Sequence, residues 1–254
     1  MTEIDSTVPH SARIWNHWLG GEDNFPVDVA AGDAYAAEFP GIVTIARSSR
    51  AFLGRSIRYL VEEAGVRQFL DVGAGLPAAD STHEVAQRYA PEAKVVYVDH
   101  DPLVLAHARA LLEGRTAYEH LDLYDPERIV EAAGRTLDLD RPVALILSGI
   151  LGHVDGYDRA RDLVRAFLAG LPSGSYLSLN EGSRGTDPAY ERAQDAYNET
   201  GAVPYFLRPI AEIEGYFEGL ELVEPGVVSV PLWRPEPGAD TTPIGQHGGL
   251  ARKP

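Results

Sequence analysis

The stretch QFLDVGAGLPAAD, residues Gln68 to Asp80, decides how this chain is read. An apolar run meets a glycine turn, and Gly73-Ala74-Gly75-Leu76-Pro77-Ala78 matches the G-x-G-x-x-G/A dinucleotide fingerprint letter for letter. In a dinucleotide site the helix begins at the second glycine, so that its free N–H groups and positive dipole end meet the pyrophosphate. Here Ser81-Thr82-His83-Glu84 reads as a capping box, followed by the apolar Val85, Ala86 and Tyr89, which starts the helix several residues late. Pro77 also removes a backbone donor where a phosphate would want one. The letters fit the fingerprint, but its mechanics do not.

Outward from this stretch, short β-branched runs alternate with helical patterns, the signature of a parallel sheet built from βαβ units. The expected strands are Arg67–Val72, Lys94–Asp99, Thr116–Leu121, Val143–Leu147 and Tyr176–Leu179. Helices are expected to start near Ser81, Pro102, Pro126, Gly156 and Pro188, three of them marked by Asp101-Pro102, Asp125-Pro126 and Asp187-Pro188, an N-cap carboxylate before a first-turn proline. Leu220 to Leu232 reads as two strands joined through Pro225-Gly226, a link too short for a crossover helix, so these two should be antiparallel to each other. The expected fold class is α/β, an open, Rossmann-like sheet of the class I methyltransferase type with a C-terminal antiparallel hairpin and an N-terminal helical extension. Residues 1–65 form that extension or lid, with helices at Ser11–Leu19 and Ser49–Ala64. Residues 66–234 form the α/β domain, and 235–254 read as a polar, proline-rich tail.

Composition narrows the function. The net charge of −16 repels polyanions, so nucleic acid is not an expected partner. The chain has no cysteine and its eight histidines show no metal-binding spacing, so no metal is expected. No apolar run reaches the roughly 18 residues of a membrane span and no secretory signal opens the chain, which leads to the expectation of a cytoplasmic protein.

A ligand that keeps the nucleoside but lacks the diphosphate suits the glycine turn. S-adenosylmethionine (SAM) is such a ligand, an adenosine joined through a sulfonium to an amino acid. With the caps set aside, Asp99 and Asp122 stand at the ends of the second and third strands with no local duty. The first is placed to accept the ribose hydroxyls, as in NAD and SAM sites alike, and the second the adenine amino group. Asp71 either holds the turn or meets the amino group of SAM.

At this point the chain resembles a known family, the actinobacterial SAM-dependent methyltransferases once catalogued as a domain of unknown function. The resemblance runs over nearly the whole chain and is carried by ARIWNHWLGGEDNFPVD (Ala12–Asp28), RAFLGRSIRYL (Arg50–Leu60), QFLDVGAGLP (Gln68–Pro77), THEVAQ (Thr82–Gln87), VVYVDHDPLVLAHARALL (Val95–Leu112), LDLYDP (Leu121–Pro126), LVEPGVVSVPLWRP (Leu222–Pro235) and GGLARKP (Gly248–Pro254). It implies SAM as cofactor, held over Gly73, Gly75, Asp99 and Asp122. It adds Ala74, His100, Leu123 and Ser148 to the cofactor set, with Asn24 and Arg50 reaching the carboxylate end. It also implies that the LGGEDNF segment and the terminal RKP are ordered near the site. The chain departs from the family where Leu151-Gly152 precedes His153, in place of a Leu-His pair, and where Asn180-Glu181 stands in place of Ser-His.

Methyl transfer from a sulfonium requires alignment, and a base only if the nucleophile carries a proton. His153 is the first candidate base and Glu181 the second, either as base or as a carboxylate holding a substrate amine. Asn16 and His17 could face the site from the first helix, whereas Trp15 and Trp18 read as core. The expected substrate is a small molecule and the protein a monomer or homodimer. Two alternatives stay open, a NAD-dependent oxidoreductase and a non-catalytic SAM- or nucleoside-binding regulator.

Overall fold

The computed structural model describes residues 5–76, 80–104 and 115–254. Pro77 and Ala78 of the glycine turn, and most of the helix expected from Pro102, lie outside the described residues. Strands β1 (Gln68–Val72), β2 (Lys94–Asp99), β3 (Thr116–His120), β4 (Ala144–Ser148) and β5 (Tyr176–Gly182) run parallel in the order β3-β2-β1-β4-β5. The apolar runs of the inner strands β1 and β4 reflect burial on both faces, while β3 at the edge is only partly buried. On one face Leu70, Val96, Leu145 and Leu177 pack with Ile129 and Phe167 of the helices Pro126–Ala133 and Tyr157–Ala169. On the other, Phe69, Val95 and Ile146 meet Phe52 and Ile57 of α3 (Gly41–Glu62) and Val85 of α4 (Thr82–Tyr89). Each such side chain contributes about 1.5–3 kcal/mol by leaving water.

The N-terminal helices are α1 (Ser11–Trp18), α2 (Pro26–Glu38) and α3. The third begins well before Ser49, because its buried stripe continues upstream through Ile42, Ile45 and Ala46 at helical spacing. The buried Arg13–Asp28 ion pair, 2.9 Å long, ties α1 to α2, and the Asp28 carboxylate also accepts the Phe25 and His10 N–H groups. Ile14, Trp18, Tyr35 and Ile45 then join Tyr190 and Tyr197 of the helix Pro188–Asn198 in a core of their own. No helix among the described residues is long and apolar enough to cross a membrane.

The C-terminal strands correct the sequence reading. β6 (Glu221–Leu222) and β7 (Val228–Ser229) do not pair with each other across Pro225-Gly226. Both pair antiparallel with β8 (Gln246–Arg252), which lies between them and β5, so they are two pieces of one interrupted edge and β8 is the reversed strand. Part of the segment read as a tail is therefore an internal strand. Its glycines hid it: a Cβ on Gly248 would stand 2.5 Å from the Leu179 carbonyl oxygen, so close approach excludes the β-branched residues that announce a strand. The terminal RKP is ordered but far from the site. Arg252 pairs with Tyr176 at the start of β5, and Lys253 Nζ donates to the Leu168 and Leu171 carbonyls at 2.7 and 2.6 Å.

Candidate active site

At the carboxyl edge of the sheet a cavity of about 340 Å³ opens between the strand ends and the N-terminal helices. The glycine turn forms its floor. Gly73 and Gly75 have φ of +74° and +66°, the left-handed region that glycine enters without strain. The turn's first three amides are engaged. Gly73 N–H donates to the Val98 carbonyl at 2.8 Å, Ala74 N–H to the same oxygen at 3.4 Å, and Gly75 N–H to Asp99 Oδ2 at 2.9 Å. The late helix start holds as well, with Ser81 N–H donating to Glu84 Oε2 at 2.9 Å ahead of Thr82. Three consecutive donors are thereby turned toward β2 and away from any pyrophosphate.

The two glycines differ in what they allow. A Cβ on Gly73 would sit 2.4 Å from the Ile150 side chain, whereas one on Gly75 meets nothing within 4 Å. Gly75→Ala is expected to cost about 1–2 kcal/mol for its left-handed backbone, and Gly73→Ala about 1–3 kcal/mol more for overpacking. Thermal melts of the two variants measure the difference, and Ile150→Ala should recover part of the Gly73→Ala loss.

Asp99 and Asp122 line the cavity as expected, yet each has a local duty that the sequence hid. Asp99 Oδ1 accepts the Asp101 N–H at 3.0 Å, and Asp122 Oδ1 accepts that of Tyr124 at 3.0 Å. Asp71 is buried on the same wall, takes the Thr82 hydroxyl at 2.6 Å, and is pushed up by burial to a pKa of about 6. Arg50 projects from α3 into the cavity wall. Burial pulls its guanidinium below the usual range, Asp71 opposes this, and no hydrogen bond or ion pair engages it among the described residues. The buried Ser49 hydroxyl beside it also lacks a partner and lines the cavity. His100, Leu123 and Ser148 stand on the wall, Ser148 accepting from Asn180 Nδ2 at 2.9 Å, while Asn180 Oδ1 accepts from Gln246 Nε2 at 2.7 Å.

The profile of the S-adenosyl methyltransferase family matches residues 1–254. The chain belongs to this family of S-adenosyl methyltransferases. A DUF574 family protein from Streptomyces avermitilis MA-4680 is similar at 44% identity and TM-score 0.91, over 99% of this chain and 100% of that one. A Thermobifida fusca YX protein is similar at 39% identity and TM-score 0.91, over 97% and 95%. An O-methyltransferase family 2 protein from Planctomyces limnophilus DSM 3776 shares the fold alone, with 18% identity and TM-score 0.52 over 90% of this chain and 66% of that one. No curated protein matches the chain. This methyltransferase takes SAM as its cofactor, and the open dinucleotide alternative falls with that finding. The residues fit the group: the orphaned buried Ser49 hydroxyl and the cavity-lining Arg50 guanidinium, which has no partner among the described residues, suit the carboxylate of an amino acid, and the neighbouring Asp71 its ammonium.

The two candidate bases part company. His153, in the short 3-10 turn Leu151–His153, lines the cavity. Its Nδ1 donates to the Pro204 carbonyl at 2.8 Å, which fixes the tautomer and leaves Nε2 with a free lone pair. Burial lowers its pKa, so the methyltransferase holds this ring neutral at pH 7, and the charge of Asp99 reaches it.

Glu181 is a correction. It is wholly buried within β5 and absent from the cavity wall, and it accepts the Leu151 and Gly152 N–H groups at 2.8 and 3.0 Å and the Tyr205 hydroxyl at 2.6 Å. Burial pushes it up to about 7. It anchors the turn that carries His153 and can touch no substrate. Asn24 is likewise displaced from its expected place, since its amide donates to Asn16 Oδ1 and the Gly21 carbonyl and it does not line the cavity. Asn16 does line it, while His17 pairs with Asp33. Trp15 and Trp18 serve both core and wall. Ser49 and Gln246 were missed because a serine inside a helix and a glutamine in a polar tail carry no sequence signal of a site.

Proposed function

We propose that this methyltransferase acts on a small molecule held in the aromatic half of the cavity, with His153 as general base. One observation carries the reading: the same cavity is lined both by the glycine turn with Asp99 and Asp122 and by His153, whose Nδ1 is committed to the Pro204 carbonyl. In this reading Asp99 accepts the ribose hydroxyls, Asp122 and Leu123 border the adenine, Arg50 and Ser49 take the carboxylate, and Asp71 takes the ammonium. SAM, when bound, supplies an electrophilic methyl group on a sulfonium. The chain's own residues exclude water from the cavity, fix the acceptor beside His153 and remove its proton at Nε2.

The role of Asp71 gives a pH signature. Its carboxyl is neutral below about 6 and charged above, and only the charged form holds an ammonium. SAM affinity should therefore rise about 10-fold from pH 5 to pH 7, the contribution of one charge-assisted hydrogen bond. Calorimetry across that range should show the rise in the wild type and a flat profile in Asp71→Asn.

The acceptor class is tested with methyl-labelled SAM against small phenols, amines and carboxylic acids, with protein extract and RNA as parallel arms. Label in a small molecule supports the reading. Label confined to macromolecules overturns it.

A further inference from the structure

The half of the cavity beyond the cofactor end is walled by six rings, Trp15, Trp18, Tyr35, Tyr190, Tyr197 and Tyr205. Four of them pack on one another edge to face, with centroids 5.9 Å apart for Trp15–Trp18, 5.1 Å for Trp18–Tyr35 and 6.1 Å for Tyr35–Tyr197, while Tyr190 stacks on Phe39 and Tyr205 meets the His153 ring edge to face. Four of their polar tips are spent within the protein. Trp18 Nε1 donates to the Gly32 carbonyl, the Tyr35 hydroxyl to Gln194 Oε1, that of Tyr197 to the Val203 carbonyl and that of Tyr205 to Glu181. Burial raises the pKa of all four tyrosines, so none ionises near neutral pH. The charged side chains on the cavity wall, Arg50, Asp71, Asp99 and Asp122, all gather at the cofactor end. At the rim, Tyr124 and Val203 are 42% and 41% exposed, an apolar lip on an otherwise acidic protein.

The six rings offer apolar area and carry no charge of their own, and the proton acceptor beside them is His153, ring-packed against Tyr205, with His10, His100 and Asp99 further along the same wall. A carboxylate or an ammonium would leave water for a place without a partner. A neutral ring fits, provided that its reactive hydrogen lies within reach of an imidazole. A phenolic hydroxyl, with a pKa near 10, meets that condition, whereas a ring N–H of the indole type does not ionise in water. We propose that the acceptor is a neutral, planar aromatic compound methylated on a ring hydroxyl. The proposal rests on the small-molecule reading above and narrows it. As the hydroxyl proton passes to His153 Nε2 and then to water, the oxygen forms its bond to the methyl carbon, and the carbon–sulfur bond breaks with its electron pair left on sulfur. The products are an aryl methyl ether and S-adenosylhomocysteine.

Three probes of one shape test it: 2-naphthol, 2-naphthoic acid and 2-(aminomethyl)naphthalene, neutral, anionic and cationic at pH 7. Binding to the S-adenosylhomocysteine-loaded protein is followed by calorimetry and tryptophan fluorescence, and methylated products by mass spectrometry. The naphthol is expected to bind at least about 10-fold more tightly than either charged probe, the penalty of an unpaired charge. Trp15→Ala should weaken naphthol binding several-fold with S-adenosylhomocysteine affinity unchanged. A charged probe binding as tightly as the naphthol, methylation of the amine in preference to the hydroxyl, or binding of none of the three overturns the proposal. The small-molecule reading fails differently, by labelled macromolecules in the screen above.

Discussion

Asp99→Ala is expected to weaken SAM binding by about 100-fold or more, because two charge-assisted hydrogen bonds of about 1.5–3 kcal/mol each are lost together. The same carboxylate accepts the Gly75 and Asp101 N–H groups, so its removal also frees the glycine turn that floors the cavity. Calorimetric titration with SAM and S-adenosylhomocysteine measures the loss. A melting temperature within a few degrees of wild type separates a missing ligand contact from a collapsed turn. Retention of wild-type affinity would remove Asp99 from the site.

His153→Ala should lower turnover by about 100- to 1,000-fold while leaving the Kd for SAM intact, the range for loss of one positioned general base. The pH profile adds a second readout. The ring works as a base only when neutral, and burial holds its pKa below the ordinary histidine value. The wild-type rate should therefore be flat near pH 7 and fall on the acid side of 6.5, and the variant should lose that inflection. Glu181→Gln serves as a contrast. It leaves the base in place but disturbs the anchor of its turn, so turnover should drop less than in His153→Ala, with the acid inflection retained. Unchanged turnover in His153→Ala would end its claim.

Much of this molecule was legible before its structure. β1, β2 and β4 announce themselves because strands buried in the middle of a parallel sheet need apolar runs, and α4 because Ser81 and Glu84 form a local device independent of the rest of the chain. Asp71, Asp99 and Asp122 follow from position alone, since strand ends in an open α/β sheet face the ligand. What failed had non-local causes. Glu181 reads as a candidate base beyond the strand because the apolar run of β5 ends at Leu179, whereas the strand continues to Gly182 and buries the carboxylate against the Tyr205 hydroxyl. Asn24 satisfies its amide on Asn16 of α1 and on the Gly21 carbonyl of its own loop. β8 is glycine-rich where it crosses β5, and the pairing of distant segments leaves no local trace.

That strand also sets an order of assembly. β1 to β5 can pair as soon as residue 182 exists, but β5 then presents a bare row of N–H and C=O groups until Gln246–Arg252 arrives. β6 and β7, made earlier, have no partner but β8 and must wait for it. A segment made after all of its strand partners thus enters the interior of the sheet, and it carries Gln246 into the cavity wall as it does so. A nascent chain stalled or clipped before residue 246 would hold most of the cofactor residues with an open, adhesive edge beside them, a species suited to aggregation and to chaperone capture.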